Sequence, residues 1–173
     1  MNQTYTHPKR KTKVVFVQLG SPSEPTTKAL RKYLRKFLGD PRVIDINPWL
    51  WKIILNFFVL PFRPKKSAKL YARIWDGTSF PLITNTRDFT NNVREELKKI
   101  DPRGYVEVNH AFLLSPPYVN EVYDSWEDDL KKGVGATKLL VIPMFPQYSE
   151  STIASGIDAL AKELSKRVKI PTF

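Results

Sequence analysis

Two short apolar runs constrain the fold of this chain more than any other feature. Val14-Val-Phe-Val-Gln-Leu19 closes on Gly20-Ser21-Pro22, and Lys138-Leu-Leu-Val-Ile142 follows Gly133-Val-Gly135. Both are too short for independent helices and both are bounded by turn residues, so they read as buried strands. Tyr105 to Leu114 alternates and then turns apolar, which predicts a third strand. Strands without a polar face need cover on both sides, the situation of a parallel sheet between layers of helices.

The intervening segments have helical spacing. Thr26 or Thr27 caps a helix over about Lys28 to Leu38, with Leu30, Leu34, Phe37 and Leu38 on one face and Gly39-Asp40-Pro41 as its stop. Asn47-Pro48 opens a helix from Trp49 to about Leu60, and Ser67 to Trp75 reads as another. A long helix runs from Pro81 to about Ile100. Tyr118 to Lys131 is helical, and the Ser149 to Thr152 caps start a helix reaching about Val168, with Ile170 to Phe173 opening a further strand. The expected architecture is one α/β domain over residues 13–173, a parallel sheet flanked by helices, with a polar basic tail over residues 1–12 and a helical insertion at about 41–80. Ligands of such sheets sit beyond the carboxyl ends of the strands. Those ends carry Gly20 to Pro22, Leu113 to Pro117 and Phe145 to Ser149.

Composition narrows the chemistry. The 173 residues contain no cysteine and two histidines, His7 and His110, which excludes disulfides, thiolate zinc sites, cysteine nucleophiles and cysteine-held iron–sulfur clusters. Lys and Arg number 28 against 17 Asp and Glu, a net charge of +11 that favours an anionic partner. No nucleic-acid motif accompanies the charge, so nucleic acid is not expected as the partner. No signal peptide is expected, and the most apolar stretch, Trp49 to Phe62, is interrupted by Lys52, Asn56 and Pro61 and is too short to cross a bilayer. A cytoplasmic protein is expected.

Three places hold candidate site residues. Leu19-Gly20-Ser21-Pro22 lacks the dinucleotide fingerprint and the P-loop lysine, but Gly20 allows close backbone approach and Ser21 offers a hydroxyl. In Phe145-Pro-Gln147-Tyr148-Ser149-Glu-Ser151-Thr152 the hydroxyls lie beside a helix start, where an anionic substituent is well received, and the aromatic rings suit a planar ligand. Trp49, Leu50, Trp51, Ile53, Ile54, Phe57 and Phe58 cover nearly every face of a short helix, followed at once by Arg63, Lys65, Lys66 and Lys69. An all-round apolar insertion next to cations suits anionic lipid heads, or the carboxylates of a large apolar ligand. His110 is the weak candidate for acid–base work, and no metal ligand set is visible.

These residues resemble a known family. Val17-Gln-Leu-Gly-Ser-Pro22, Tyr33-Leu-Arg-Lys-Phe-Leu-Gly-Asp-Pro-Arg-Val43, Leu60-Pro-Phe-Arg-Pro-Lys-Lys-Ser67, Tyr71-Ala-Arg-Ile-Trp75 and Pro143-Met-Phe-Pro-Gln-Tyr-Ser-Glu-Ser-Thr152 are similar, in order, to the amino-terminal part of bacterial ferrochelatases. The resemblance implies a Rossmann-like chelatase half-domain and insertion of Fe²⁺ into a porphyrin, a metal-inserting lyase reaction of haem biosynthesis. Iron and porphyrin are then substrates; no covalent cofactor and no iron–sulfur cluster are implied. By the same resemblance Leu19 to Pro22, Phe145, Gln147, Tyr148, Ser149, Ser151 and Thr152 line the porphyrin cleft, and Arg63 meets a propionate. Trp49 to Phe58 form the apolar lip, in peripheral contact with the inner face of an anionic membrane.

The departures from the family are equally specific. The family's second half holds a histidine in Ser-x-His-x-x-Pro and a glutamate, credited with proton removal and metal delivery, and neither motif occurs here. The expectation is therefore the amino-terminal half of a ferrochelatase, a fragment or a short gene product, inactive without its carboxy-terminal half. The family's Arg-Tyr pair is Leu113-Leu114, its first Tyr of Tyr-Pro-Gln-Tyr-Ser is Phe145, and a cluster-ligating cysteine of some members is Glu150. Two alternatives remain: a non-catalytic porphyrin or haem carrier, and a half-size chelatase that builds its cleft from a second copy of itself.

Overall fold

The computed structural model describes residues 11–133 and 135–166. Three strands, β1 (Thr12–Gln18), β2 (Val106–Phe112) and β3 (Lys138–Pro143), form a parallel sheet in the order β2-β1-β3. Thr12 is level with both Val106 and Lys138, so all three carboxyl ends finish together at one edge. Six helices connect and cover them: α1 (Thr27–Leu38), α2 (Pro48–Ile54), α3 (Leu60–Tyr71), α4 (Pro81–Ile100), α5 (Val119–Lys131) and α6 (Ser155–Leu164). The expected class, a parallel sheet flanked by helices, is the one observed.

Strand alternation sorts the core onto two faces. Val14, Phe16 and Val108 meet Val93 and Leu97 of α4. Val15, Val17, Ala111 and Leu139 meet Val122 and Trp126 of α5 and Leu160 of α6. Trp126 is buried and satisfies its indole N–H on the Ala136 carbonyl at 2.6 Å, which removes the penalty of hiding that donor. A separate apolar cluster lies between α1 and the insertion: Tyr33, Leu34 and Leu38 on one side, Leu55 and Leu60 on the other. This second core holds the insertion on the domain.

The insertion differs from the sequence expectation. Instead of one helix ending near Leu60 and another starting at Ser67, helical turns continue from Pro48 to Tyr71, with a wide turn at Leu55–Val59. The segment between them contains two prolines, and each is accommodated locally. Pro61 occupies the first turn of α3, where an N–H is not needed. Pro64 lies inside α3 and cannot bond the Leu60 carbonyl four residues back; Arg31 of α1 supplies a donor to that oxygen at 3.3 Å. A side chain from a neighbouring helix thus substitutes for the missing backbone hydrogen bond.

Other boundaries stand close to expectation. Thr26 is the cap of α1, accepting from Ala29 N at 3.2 Å. The last helix is the exception: α6 begins at Ser155 after a wide turn over Glu150–Ala154. Ser149 precedes that turn without capping it through its side chain; its carbonyl instead takes the N–H groups of Thr152, Ile153 and Ala154. α6 ends at Leu164, and the expected helix end at Val168 and strand at Ile170 to Phe173 lie outside the described residues, as does His7. No described helix is long and apolar enough to cross a membrane.

Candidate functional site

The carboxyl edge of the sheet is tied together by Gln18. Its side-chain amide donates to the Met144 carbonyl at 3.0 Å and its Oε1 accepts from Leu19 N at 2.9 Å. Its own carbonyl takes Leu113 N, the Leu19 carbonyl takes Leu114 N, and Met144 N reaches the Val17 carbonyl. One glutamine therefore joins the turns that follow all three strands. Sequence reasoning missed it; the available signal was a single amide in an otherwise apolar run.

The turn after β1 is compressed. Gly20 has φ +93°, and a Cβ there would lie 2.3 Å from Ser115 Oγ and 3.0 Å from Phe112 Cβ. Glycine is required for both reasons at once. Ser21 is buried and its N–H donates to Ser115 Oγ at 3.3 Å, while the Tyr33 hydroxyl donates to the Gly20 carbonyl at 3.4 Å. Burial, then the nearby Tyr71 hydroxyl, pushes the Tyr33 phenol above its ordinary range, so it is a neutral donor. Ser21 and Pro22, with Tyr33, Leu114 and Ser115, line a cavity of about 300 Å³ that is also bounded by the segment from Trp75 to Ile83.

The second predicted cluster follows β3. Phe145, Ser149, Ser151 and Thr152 are half-buried, whereas Gln147 and Tyr148 are exposed. Ser149 Oγ and Ser151 Oγ share a hydrogen bond at 3.0 Å, and Thr152 Oγ1 donates to the Ser149 carbonyl. Next to this turn Arg42 forms a two-pronged ion pair with Asp158 of α6, Nε to Oδ2 at 2.5 Å and Nη2 to Oδ1 at 3.1 Å. That hydrogen bond and charge hold the exposed Asp158 carboxyl below the usual carboxylate range. The pair fastens the segment after α1 to the α6 side of the carboxyl edge.

The insertion presents an apolar outer surface. Trp49, Phe57, Phe58 and Phe62 are each about two-thirds or more exposed, and Leu50 and Ile53 are exposed beside them. Arg63, Lys65, Lys66 and Lys69 are exposed along α3. Trp51 behaves differently from its neighbours. It is half-buried against the α1 cluster and donates Nε1–H to the Leu38 carbonyl at 2.7 Å, so it anchors the insertion instead of facing out. Ile54 is also half-buried.

His110 lies on β2, in a surface hollow shared with Arg94, Asn109 and Glu121 and separate from the cavity at Ser21. Its Nδ1 is buried without a hydrogen-bond partner among the described residues, and the ring packs edge-on against Phe112. Burial, then the charges of Arg94 and Arg87, lowers its pKa. This is a neutral imidazole on a sheet edge. Among the described residues no carboxylate or imidazole lines the cavity at Ser21, and no group of three or more His, Asp or Glu side chains is placed to hold a metal ion.

Level parallel strands covered by helices, with a glycine-dependent turn, a cavity at the carboxyl edge and an apolar helical insertion beside it, make this an α/β protein. The ferrochelatase family model matches residues 11–173, and the chain belongs to the ferrochelatase family. It is 42% identical over 158 residues to a ferrochelatase of Idiomarina loihiensis, covering 91% of this chain and 42% of that protein. It is 39% identical over 160 residues to a ferrochelatase of Marinobacter nauticus, with 92% and 42% covered. A coproporphyrin III ferrochelatase of Streptococcus mutans is also 39% identical over 160 residues, with 92% and 48% covered. The chain thus spans a little under half the length of these relatives.

Proposed function

We propose that this chain supplies one wall and the apolar lip of a porphyrin site, and that with the rest of a family-length protein it serves insertion of Fe²⁺ into a porphyrin. The observation that carries this reading is the family match along residues 11–173, which contains both the Gly20 turn and the Phe145 to Thr152 turn. Leu19 to Pro22 and Phe145 to Thr152, tied through Gln18, form the wall. Arg63 receives a propionate. The exposed Trp49, Phe57 and Phe58, flanked by α3 cations, seat the lip on an anionic membrane surface.

Metal insertion requires a proton acceptor close to the two pyrrole nitrogens that lose hydrogen. The cavity lining offers hydroxyls, lysines and apolar groups, and His110 opens elsewhere. The proton acceptor therefore comes from outside this wall, and the 173-residue chain alone binds porphyrin without metalating it. A Soret titration paired with loss of porphyrin fluorescence on anaerobic addition of Fe²⁺ or Zn²⁺ tests both parts. Binding without insertion is expected. Insertion above the uncatalysed rate would return His110 to the centre, and absence of any Soret shift would overturn the porphyrin wall.

A further inference from the structure

The turns that follow the three strands are not held to one another equally. β1 and β2 stay paired as far as Gln18 and Phe112, whereas the register of β1 with β3 ends one residue earlier, at Val17 and Pro143. Past those ends the turn after β1 is fastened to the turn after β2 three times. Leu113 N–H donates to the Gln18 carbonyl, Leu114 N–H to the Leu19 carbonyl, and Ser21 N–H to Ser115 Oγ. Towards β3 the last backbone bond is Met144 N–H to the Val17 carbonyl. Beyond it, among the described residues, one hydrogen bond joins the two sides, from Gln18 Nε2 to the Met144 carbonyl at 3.0 Å.

The turn at the far end of that bond coheres by itself. The Ser149 carbonyl gathers the N–H groups of Thr152, Ile153 and Ala154, and the Ser149 and Ser151 hydroxyls bond each other. The joint itself demands an amide. The Met144 carbonyl only accepts and the Leu19 N–H only donates, so the side chain between them must give a hydrogen at one end and take one at the other. A carboxylate lacks the hydrogen, a cationic side chain lacks the acceptor, and an aliphatic one lacks both.

We propose that Gln18 is a positioning residue of the porphyrin wall. Its amide sets how far the Phe145 to Thr152 turn stands from the Leu19 to Pro22 turn, and so how closely a macrocycle fits against both; this role rests on the function proposed above. Gln18 does not line the cavity and acts through the turns it joins.

The test uses the full chain in mildly alkaline buffer, with deuteroporphyrin, a dicarboxylate porphyrin, as probe. Gln18→Glu keeps the shape and the acceptor for Leu19 but loses the donor to Met144. In the free chain it is expected to shift the Phe145 to Thr152 amide signals and leave those of Leu113 and Leu114 in place. Soret titration is expected to show porphyrin binding weakened about tenfold. Trp126→Phe, which removes a buried bond to the Ala136 carbonyl ahead of β3, is expected to lower the urea midpoint while leaving porphyrin affinity within about twofold. Gln18→Asn, which keeps the amide but draws it back by one methylene, is the second variant should Gln18→Glu fail to fold. Unchanged affinity in a folded Gln18 variant, equal shifts on the β2 and β3 sides, or equal weakening by Trp126→Phe overturns the role. If the unsubstituted chain gives no Soret shift, the proposed function fails; the free-chain signals then still decide whether Gln18 holds the turn after β3.

Discussion

Replacing Gly20 by alanine tests the compressed turn at the heart of the site. At φ +93° an L-residue costs about 1–2 kcal/mol in backbone strain. A Cβ placed 2.3 Å from Ser115 Oγ and 3.0 Å from Phe112 Cβ must displace one or both, and overpacking of that kind costs about 1–3 kcal/mol. If Ser115 yields, its hydrogen bond from Ser21 N is lost as well, about 1 kcal/mol more. The sum, about 3–6 kcal/mol, is a large part of the roughly 5–15 kcal/mol that holds a domain together. Gly77→Ala is the internal control, because Gly77 has φ +100° but nothing within 4 Å of its added Cβ; it should show only the backbone part, about 1–2 kcal/mol. Urea unfolding followed by tryptophan fluorescence measures both. Adding Ser115→Ala to Gly20→Ala should recover about 1–2 kcal/mol, since Phe112 still crowds the site. Equal destabilisation by Gly20→Ala and Gly77→Ala would refute the argument from contact with Ser115 and Phe112.

Three further outcomes are expected. Trp51→Phe should lose about 1 kcal/mol in thermal unfolding through its bond to Leu38, whereas Phe57→Ser changes stability by less than about 0.5 kcal/mol and acts on binding to anionic vesicles; the reverse ranking would refute the inward placement of Trp51. Below its ordinary pKa near 6.5 the unfolded His110 takes up a proton that the native ring refuses. Stability should therefore fall as acid is added from that value down through the lowered native pKa, and His110→Gln should flatten this slope. The Asp158 carboxyl should titrate below a normal aspartate by NMR and return towards normal in Arg42→Gln or in high salt; whatever the pair contributes is lost as pH falls through that lowered value.

Much of the fold was legible because its signals are local. The Val14 to Leu19 run, the Lys28 to Leu38 face and the long stretch from Pro81 to Ile100 became β1, α1 and α4 within a residue or two. The insertion was read as two separate helices, whereas helical turns continue through Pro61 and Pro64, where the donor that meets the Leu60 carbonyl belongs to Arg31 on another helix. The Ser149 caps were misread for a related reason: the backbone carbonyl did the work assigned to the hydroxyl. Of the candidate site, the glycine turn and the aromatic insertion were visible as residue types. Gln18 was not singled out, since one amide in a strand carries no mark of what faces it.

The amino-acid order alone determined the strands and most of the helices, the excess of positive charge and the family resemblance, because periodicity, turn residues and motif order are properties of neighbouring positions. Tertiary structure decided which groups meet. Ser21 and Ser115, 94 positions apart, share a hydrogen bond over Gly20; Trp51 turns in while Trp49 turns out; and His110 opens into a different hollow from the glycine turn. Those outcomes depend on how layers pack and how strands end level, which distant residues settle jointly and no local pattern encodes.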